Sequence, residues 1–137
     1  MTCIIISDTS APAADSATKK SGTPFAIRKA SDKKRQDFKF KMQDDGSYLI
    51  INKHSKKYVS VKSSSRKSGA RIVQRIKRNY KSQRWNIVVD AANRISFVNA
   101  KSGKALSIKD AAAKSGGAII QMPASEDLAQ KWFLVTN

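Results

Sequence analysis

The chain has 137 residues, with 27 Lys and Arg against 10 Asp and Glu, for a formal net charge of +17. This length suits one ordinary domain and is short for two, and the charge biases encounters toward nucleic acid, anionic membranes or acidic polysaccharides without dictating a fold. A single cysteine, Cys3, allows no internal disulfide. No apolar run is long enough to span a membrane, and Met-Thr-Cys-Ile-Ile-Ile lacks the basic start and long apolar core of a signal peptide, so an intracellular or leaderless protein is expected.

The β-branched residues 1–7 predict a first strand. Residues 8–18 are rich in Ala, Ser and Pro, and Pro12 predicts an edge or loop there. A turn at Lys20-Ser21-Gly22 leads to a short strand over 24–27, a polar loop over 28–35, and a strand in which Phe38 and Phe40 alternate with charge. Asp44-Asp45-Gly46-Ser47 reads as a hairpin, with Gly46 suited to positive φ, as Asn93 is at the matching point further on. Strands follow over 48–52, 58–62, 71–76 and 83–89, then over 95–99, 105–109, 118–121 and 131–135. No window has helical periodicity, so an all-β chain is expected.

The chain repeats. Gln36-Asp37-Phe38, Gln83-Arg84-Trp85 and Gln130-Lys131-Trp132 lie 47 residues apart, and Lys-Ser-Gly recurs at 20–22, 67–69 and 114–116 with the same step. Residues 44–90 laid on 91–137 match at 13 of 47 positions, against roughly three expected from composition. Three repeats, 1–43, 44–90 and 91–137, therefore make up a single domain over 1–137, and short strands in such an array are best closed into a barrel that leaves few free edges.

Threefold repetition, three Gln-x-aromatic motifs and a Gly before each third strand resemble the ricin-type β-trefoil lectin family over essentially the whole chain. The resemblance implies a six-stranded barrel capped by three hairpins with pseudo-threefold symmetry. It also implies a carbohydrate pocket in each repeat, formed by the second and third strands and the loop before Gln-x-Trp. The family's sugar-binding Asp falls on Ala13, Ser60 and Ser107, its Gln on Ala26, Val73 and Ile120, its stacking aromatic on Arg28, Arg75 and Met122, and its polar residue before the motif on Arg35, Ser82 and Ala129. These departures remove the carboxylate, amide and ring of the usual pocket, which is expected to be lost in all three repeats.

Trp85, Trp132 and Phe38 are expected in the core, with the motif glutamines bonded to loop backbone and a ligand role for Gln83 and Gln130 as the lesser alternative. Repeat two carries twelve basic residues against three acidic, while repeat three carries six against three. The candidate ligand contacts are Ser60, Lys62, Arg71, Arg75, Lys77, Arg78, Tyr80, Ser82 and Gln83, with Ser107 and Gln130 in repeat three. Basic loops around the aromatic Tyr80 suit a sulfated or phosphorylated chain, although a Lys-rich surface can also serve solubility alone.

No enzyme is expected: His54 stands without a nearby acid, Cys3 lies in an apolar strand, and neither a metal-ligand cluster nor a phosphate loop is present, so no metal or cofactor is expected. The leading expectation is a non-catalytic, lectin-like trefoil whose partners are glycans, with a leaning toward acidic ones. The alternatives are nucleic acid or phosphoinositide-membrane binding by the basic face, or a protein-binding trefoil such as a protease inhibitor, with residues 8–19 as its exposed loop.

Overall fold

A computed structural model describes residues 2–7, 12–31, 33–109 and 116–136. The first repeat contributes β1 (Cys3–Ser7), β2 (Pro12–Asp15), β3 (Ala26–Lys29) and β4 (Asp37–Met42). The second contributes β5 (Tyr48–Asn52), β6 (Tyr58–Val61), β7 (Ile72–Arg75) and β8 (Trp85–Val89), and the third β9 (Ile95–Asn99), β10 (Lys104–Ile108), β11 (Ile119–Pro123) and β12 (Trp132–Thr136). The helical segments among the described residues are 3-10 turns, one of which immediately precedes each of β4, β8 and β12.

The first and fourth strands of each repeat close a ring: β1 pairs with β4, β4 with β5, β5 with β8, β8 with β9, β9 with β12, and β12 returns to β1. The remaining strands form hairpins β2–β3, β6–β7 and β10–β11, which touch one another through the bridges Pro24 to Val73, Ala26 to Ala118 and Arg71 to Ile120. This six-stranded barrel with a triplet of hairpins is a β-trefoil.

Alternation along the strands directs one face inward. Phe38, Trp85 and Trp132, at the same place in each repeat, are at most 1% exposed and pack with Ile5, Ile50, Phe97 and Leu106. The two indole N–H groups donate to equivalent carbonyls, Trp85 to Val59 O at 3.0 Å and Trp132 to Leu106 O at 3.1 Å, so burial leaves neither unsatisfied. The hairpin turns match expectation: Gly46 and Asn93 both have positive φ, at 85° and 62°.

Two buried glutamines join neighbouring repeats. Gln74 Nε2 donates to Thr18 O and Lys20 O, both at 2.8 Å, and Gln121 Nε2 donates to Ser65 O and Lys67 O at 3.0 and 2.9 Å. Each holds the turn before the third strand of the preceding repeat. Ile27 occupies the matching position in repeat one and has no amide to offer.

One expectation is corrected. Pro12 does not impose a loop, because Pro12–Asp15 forms β2, which pairs with β1 and β3. Pro12 is the first residue of that strand, where a missing N–H costs little, and the small Ala13 and Ala14 are buried where Ser60 and Val61 lie in repeat two. The segment 8–19 is thus not a continuous exposed loop: residues 8–11 lie outside the described residues, 13–16 are buried, and 17–19 are exposed.

Candidate functional site

Each Gln-x-aromatic glutamine closes the loop in front of its own strand. Gln83 Oε1 accepts from Arg78 N at 2.9 Å while its Nε2 donates to Ile76 O at 2.8 Å. Gln130 repeats this with Ser125 N and Pro123 O, both at 2.8 Å, and Gln36 with Ser31 N and Lys29 O at 2.8 and 3.0 Å. The amides are buried and spent on the backbone, except that Gln36 Nε2 also donates to Asp15 Oδ2 at 2.8 Å, so Gln83 and Gln130 shape the loops from within.

The small candidates are also turned inward. Ser60 Oγ donates to Tyr58 O at 3.2 Å, and Ser107 Oγ donates to Ile108 O at 3.0 Å. Ser82 is buried, with its Oγ 2.9 Å from Ser64 Oγ. Arg71 lies in the triplet of hairpins, its carbonyl accepting from Lys62 N at 2.9 Å, its backbone bridged to Ile120 and its Nε buried without a partner among the described residues. Arg75 is half-buried opposite Tyr58 at the far end of the β6–β7 hairpin. Lys62, Lys77, Arg78 and Tyr80 are exposed; at 53% Tyr80 is the one aromatic among the strongly exposed large apolar residues.

Hollows on these loops bear on the candidates. In repeat three, Ser107, Ile108, Lys109, Met122, Pro123, Ser125, Asp127, Ala129 and Gln130 line a pocket of about 260 Å³. This is where the family pocket was expected to be lost. The hollow itself persists, now with Met122 in place of an aromatic and with a carboxylate, Asp127, that lies outside the family positions named above. One carboxylate oxygen of Asp127 accepts from Ala129 N at 2.9 Å.

The second hollow, of about 340 Å³, lies between repeats two and three and is lined by Ser64, Arg66, Tyr80, Lys81 and Lys101. Its three walls meet at Ser82. Ser82 Oγ contacts Ser64 Oγ, and Ser82 O accepts from Asn99 Nδ2 at 3.0 Å, while Asn99 Oδ1 accepts from Lys101 N at 3.1 Å. Lys101 Nζ reaches across to Ser64 O at 2.6 Å.

Among the described residues no carboxylate pairs with Arg66, Lys81 or Lys101. In the adjoining hollow of Asp45, Asn79, Lys81, Arg84 and Ala100, by contrast, Arg84 Nη1 is 3.1 Å from Asp45 Oδ2. Sequence reasoning placed Tyr80 but not Ser64 or Lys101 among the candidates, because the periodicity compares like positions and this cleft joins unlike ones.

Three overlapping stretches, residues 7–75, 34–122 and 81–137, match the model of the family described as ricin-type β-trefoil lectin domain-like. The chain belongs to this family. From the first match to the second the end advances by one repeat, 122 − 75 = 47, and from the second to the third the start does so, 81 − 34 = 47.

No curated protein sequence matches the chain. Among solved structures, this trefoil is similar to the designed threefold-symmetric protein ThreeFoil, at 25% identity and a TM-score of 0.97, covering 99% of both chains. It resembles the Macrolepiota procera ricin B-like lectin in complex with lactose, at 16% identity and a TM-score of 0.86, covering 100% of this chain and 96% of that one. It also resembles the Polyporus squamosus lectin bound to the sialylated epitope Neu5Acα2-6Galβ1-4GlcNAc, at 13% identity and a TM-score of 0.80, covering 97% of this chain and 48% of that one. Likeness at these last two identities speaks to the fold.

The remaining groups with chemical potential are quiet. Burial pushes the Cys3 thiol above its ordinary pKa, which keeps it protonated at neutral pH and weakly nucleophilic. His54 is half-buried in the turn after β5, its backbone N–H donating to Asn52 Oδ1 at 3.0 Å. No group of three or more His, Cys, Asp or Glu able to hold a metal occurs among the described residues. Among the same residues, no helix is long and apolar enough to cross a membrane.

Proposed function

We propose that residues 1–137 act as one non-catalytic carbohydrate-binding trefoil that favours acidic glycans through the cationic face of repeat two. The observation that carries this reading is the cluster of Arg66, Lys81 and Lys101, with no carboxylate partner among the described residues, around the exposed ring of Tyr80 on a lectin-like scaffold. A sugar presents an apolar face to an aromatic ring and polar groups at its edge, and a sulfate or carboxylate on that edge gains from nearby cations. The sialylated ligand of the Polyporus squamosus lectin supports the idea that this architecture accommodates acidic sugars.

Nucleic acid fits the face less well. Single strands are held by successive aromatic platforms along a basic groove, whereas Tyr80 is the single strongly exposed Phe, Tyr or Trp ring among the described residues. The test is an array of neutral, sialylated and sulfated glycans, run at low and near-molar salt with an oligonucleotide competitor. Binding to acidic glycans that is lost at high salt and resists the oligonucleotide is the expected result. Salt-resistant binding to a neutral glycan would overturn the acidic preference, and a blank array would overturn carbohydrate binding itself.

A further inference from the structure

Carbohydrate pockets implied by the repeat pattern would lie one per repeat, at like positions, but a hollow lined by three cations lies between repeats two and three. We infer that the cleft of Ser64, Arg66, Tyr80, Lys81 and Lys101 is a binding site for one anionic sugar residue, its ring against Tyr80 and its sulfate or carboxylate among the three cations. This rests on the acidic-glycan reading above and shifts the ligand from the family position toward repeat three, keeping the loop of Tyr80 but replacing the second and third strands by Ser64, Arg66 and Lys101.

Three observations converge on this cleft. Its volume, about 340 Å³, is at the lower end of the range for small-ligand sites and suits a single ring rather than an extended polymer. Its walls are tied: Ser82 links the 62–65 turn to Asn99, and Gln83 closes the loop that carries Tyr80. A pre-formed wall loses little freedom on binding.

The third observation is that the combination is peculiar to this junction. Positions 47 residues earlier hold Ala17, Lys19, Lys33, Lys34 and His54, with Lys33 in place of Tyr80 and the imidazole of His54 in place of Lys101, and Asp127 and Leu128 stand where Tyr80 and Lys81 would recur in repeat three. Arg35 and Ala129 replace Ser82, so the hydroxyl tie between walls is also confined to repeat two. Threefold repetition accounts for the loops; it does not account for an aromatic and three cations, with no carboxylate partner among the described residues, gathered at one of three equivalent junctions.

The test is calorimetric titration of the full chain with a heparin-derived tetrasaccharide, which carries both sulfate and carboxylate. Tyr80→Ala, Lys81→Met and Lys101→Met are each expected to weaken binding about tenfold or more. Tyr80→Phe keeps the ring and is expected to stay within about twofold, which separates stacking from loss of the hydroxyl. Lys41→Met removes the same charge from an exposed position of β4 and is expected to change little beyond a general electrostatic loss. Tyr80 and Lys81 are exposed, so unchanged thermal midpoints are expected to show that these variants fold.

Native-like affinity in the cleft variants, with the loss confined to Arg75→Ala in the family position, would overturn this site while leaving acidic-glycan binding intact. Failure of the native chain to bind any acidic glycan would overturn the functional reading and the site together. Tight oligonucleotide binding that Tyr80→Ala abolishes would assign the cleft to nucleic acid and overturn the sugar.

Discussion

At the scale of single residues, the repeated aromatic and the repeated glutamine have separate structural duties. Trp132 fills the barrel and bonds through its indole to Leu106 O. Trp132→Ala is expected to destabilise by about 3–5 kcal/mol, read from denaturant midpoints, because the neighbours cannot collapse into so large a void. Gln83→Ala would strip Arg78 N and Ile76 O of their partner and is expected to cost about 1–3 kcal/mol. A motif visible in the sequence therefore reports on folding first and on ligand binding only through the loops it holds.

Asp45 supplies a prediction of pH dependence at the same scale. The Ser47 hydroxyl, then the Ser47 backbone N–H, and more weakly Arg84 hold its carboxylate well below the ordinary range, at about 2. With a folded-state pKa depressed from about 4, its contribution to stability is present above pH 4 and is lost as pH falls toward 2. Carbon-detected NMR is expected to show Asp45 titrating near 2 and rising on Ser47→Ala, which removes the first of these bonds. An unchanged Asp45 in that variant would contradict the assignment.

At the scale of elements, the strand pattern was largely legible because barrel strands are half-buried and alternate. The predicted strands 48–52 and 95–99 coincide with Tyr48–Asn52 and Ile95–Asn99. Pro12–Asp15 was illegible, because two alanines and an aspartate carry no strand signature and only the neighbouring β1 and β3 make them one. The matched pair Gln74 and Gln121 was visible as identity, yet its role in holding the turn of the preceding repeat depends on contacts across more than 50 residues.

Gln121→Leu, similar in volume but without an amide, would leave Ser65 O unbonded and Lys67 O with only its bond from Ala70 N, with an expected cost of about 1–3 kcal/mol. Because Arg66 lies between those carbonyls, the same variant is expected to weaken acidic-glycan binding, a coupling that paired stability and affinity measurements would detect.

At the scale of the whole molecule, spacing alone carried the fold: three motifs at one interval can be satisfied together by a closed threefold array. The candidate site was only half legible. Composition pointed to repeat two and to Tyr80, but Lys101 belongs to repeat three and enters the cleft through the Asn99–Ser82 bond. The retained hollow around Asp127 was missed for a related reason, since backbone shape persists where side chains have changed. A net charge of +17 adds a field over the entire surface. Affinity for a sulfated glycan is therefore expected to fall about tenfold or more between low and near-molar salt, while any neutral-sugar binding stays flat.

The central claim is that an acidic sugar occupies the cleft between the second and third repeats, and amide chemical-shift mapping with a sulfated tetrasaccharide tests it most directly. The largest shifts are predicted at Ser64 to Arg66, at Tyr80 and Lys81, and at Lys101. Shifts centred instead on Ser107, Met122 and Ser125 to Ala129, or none that saturate, would contradict it.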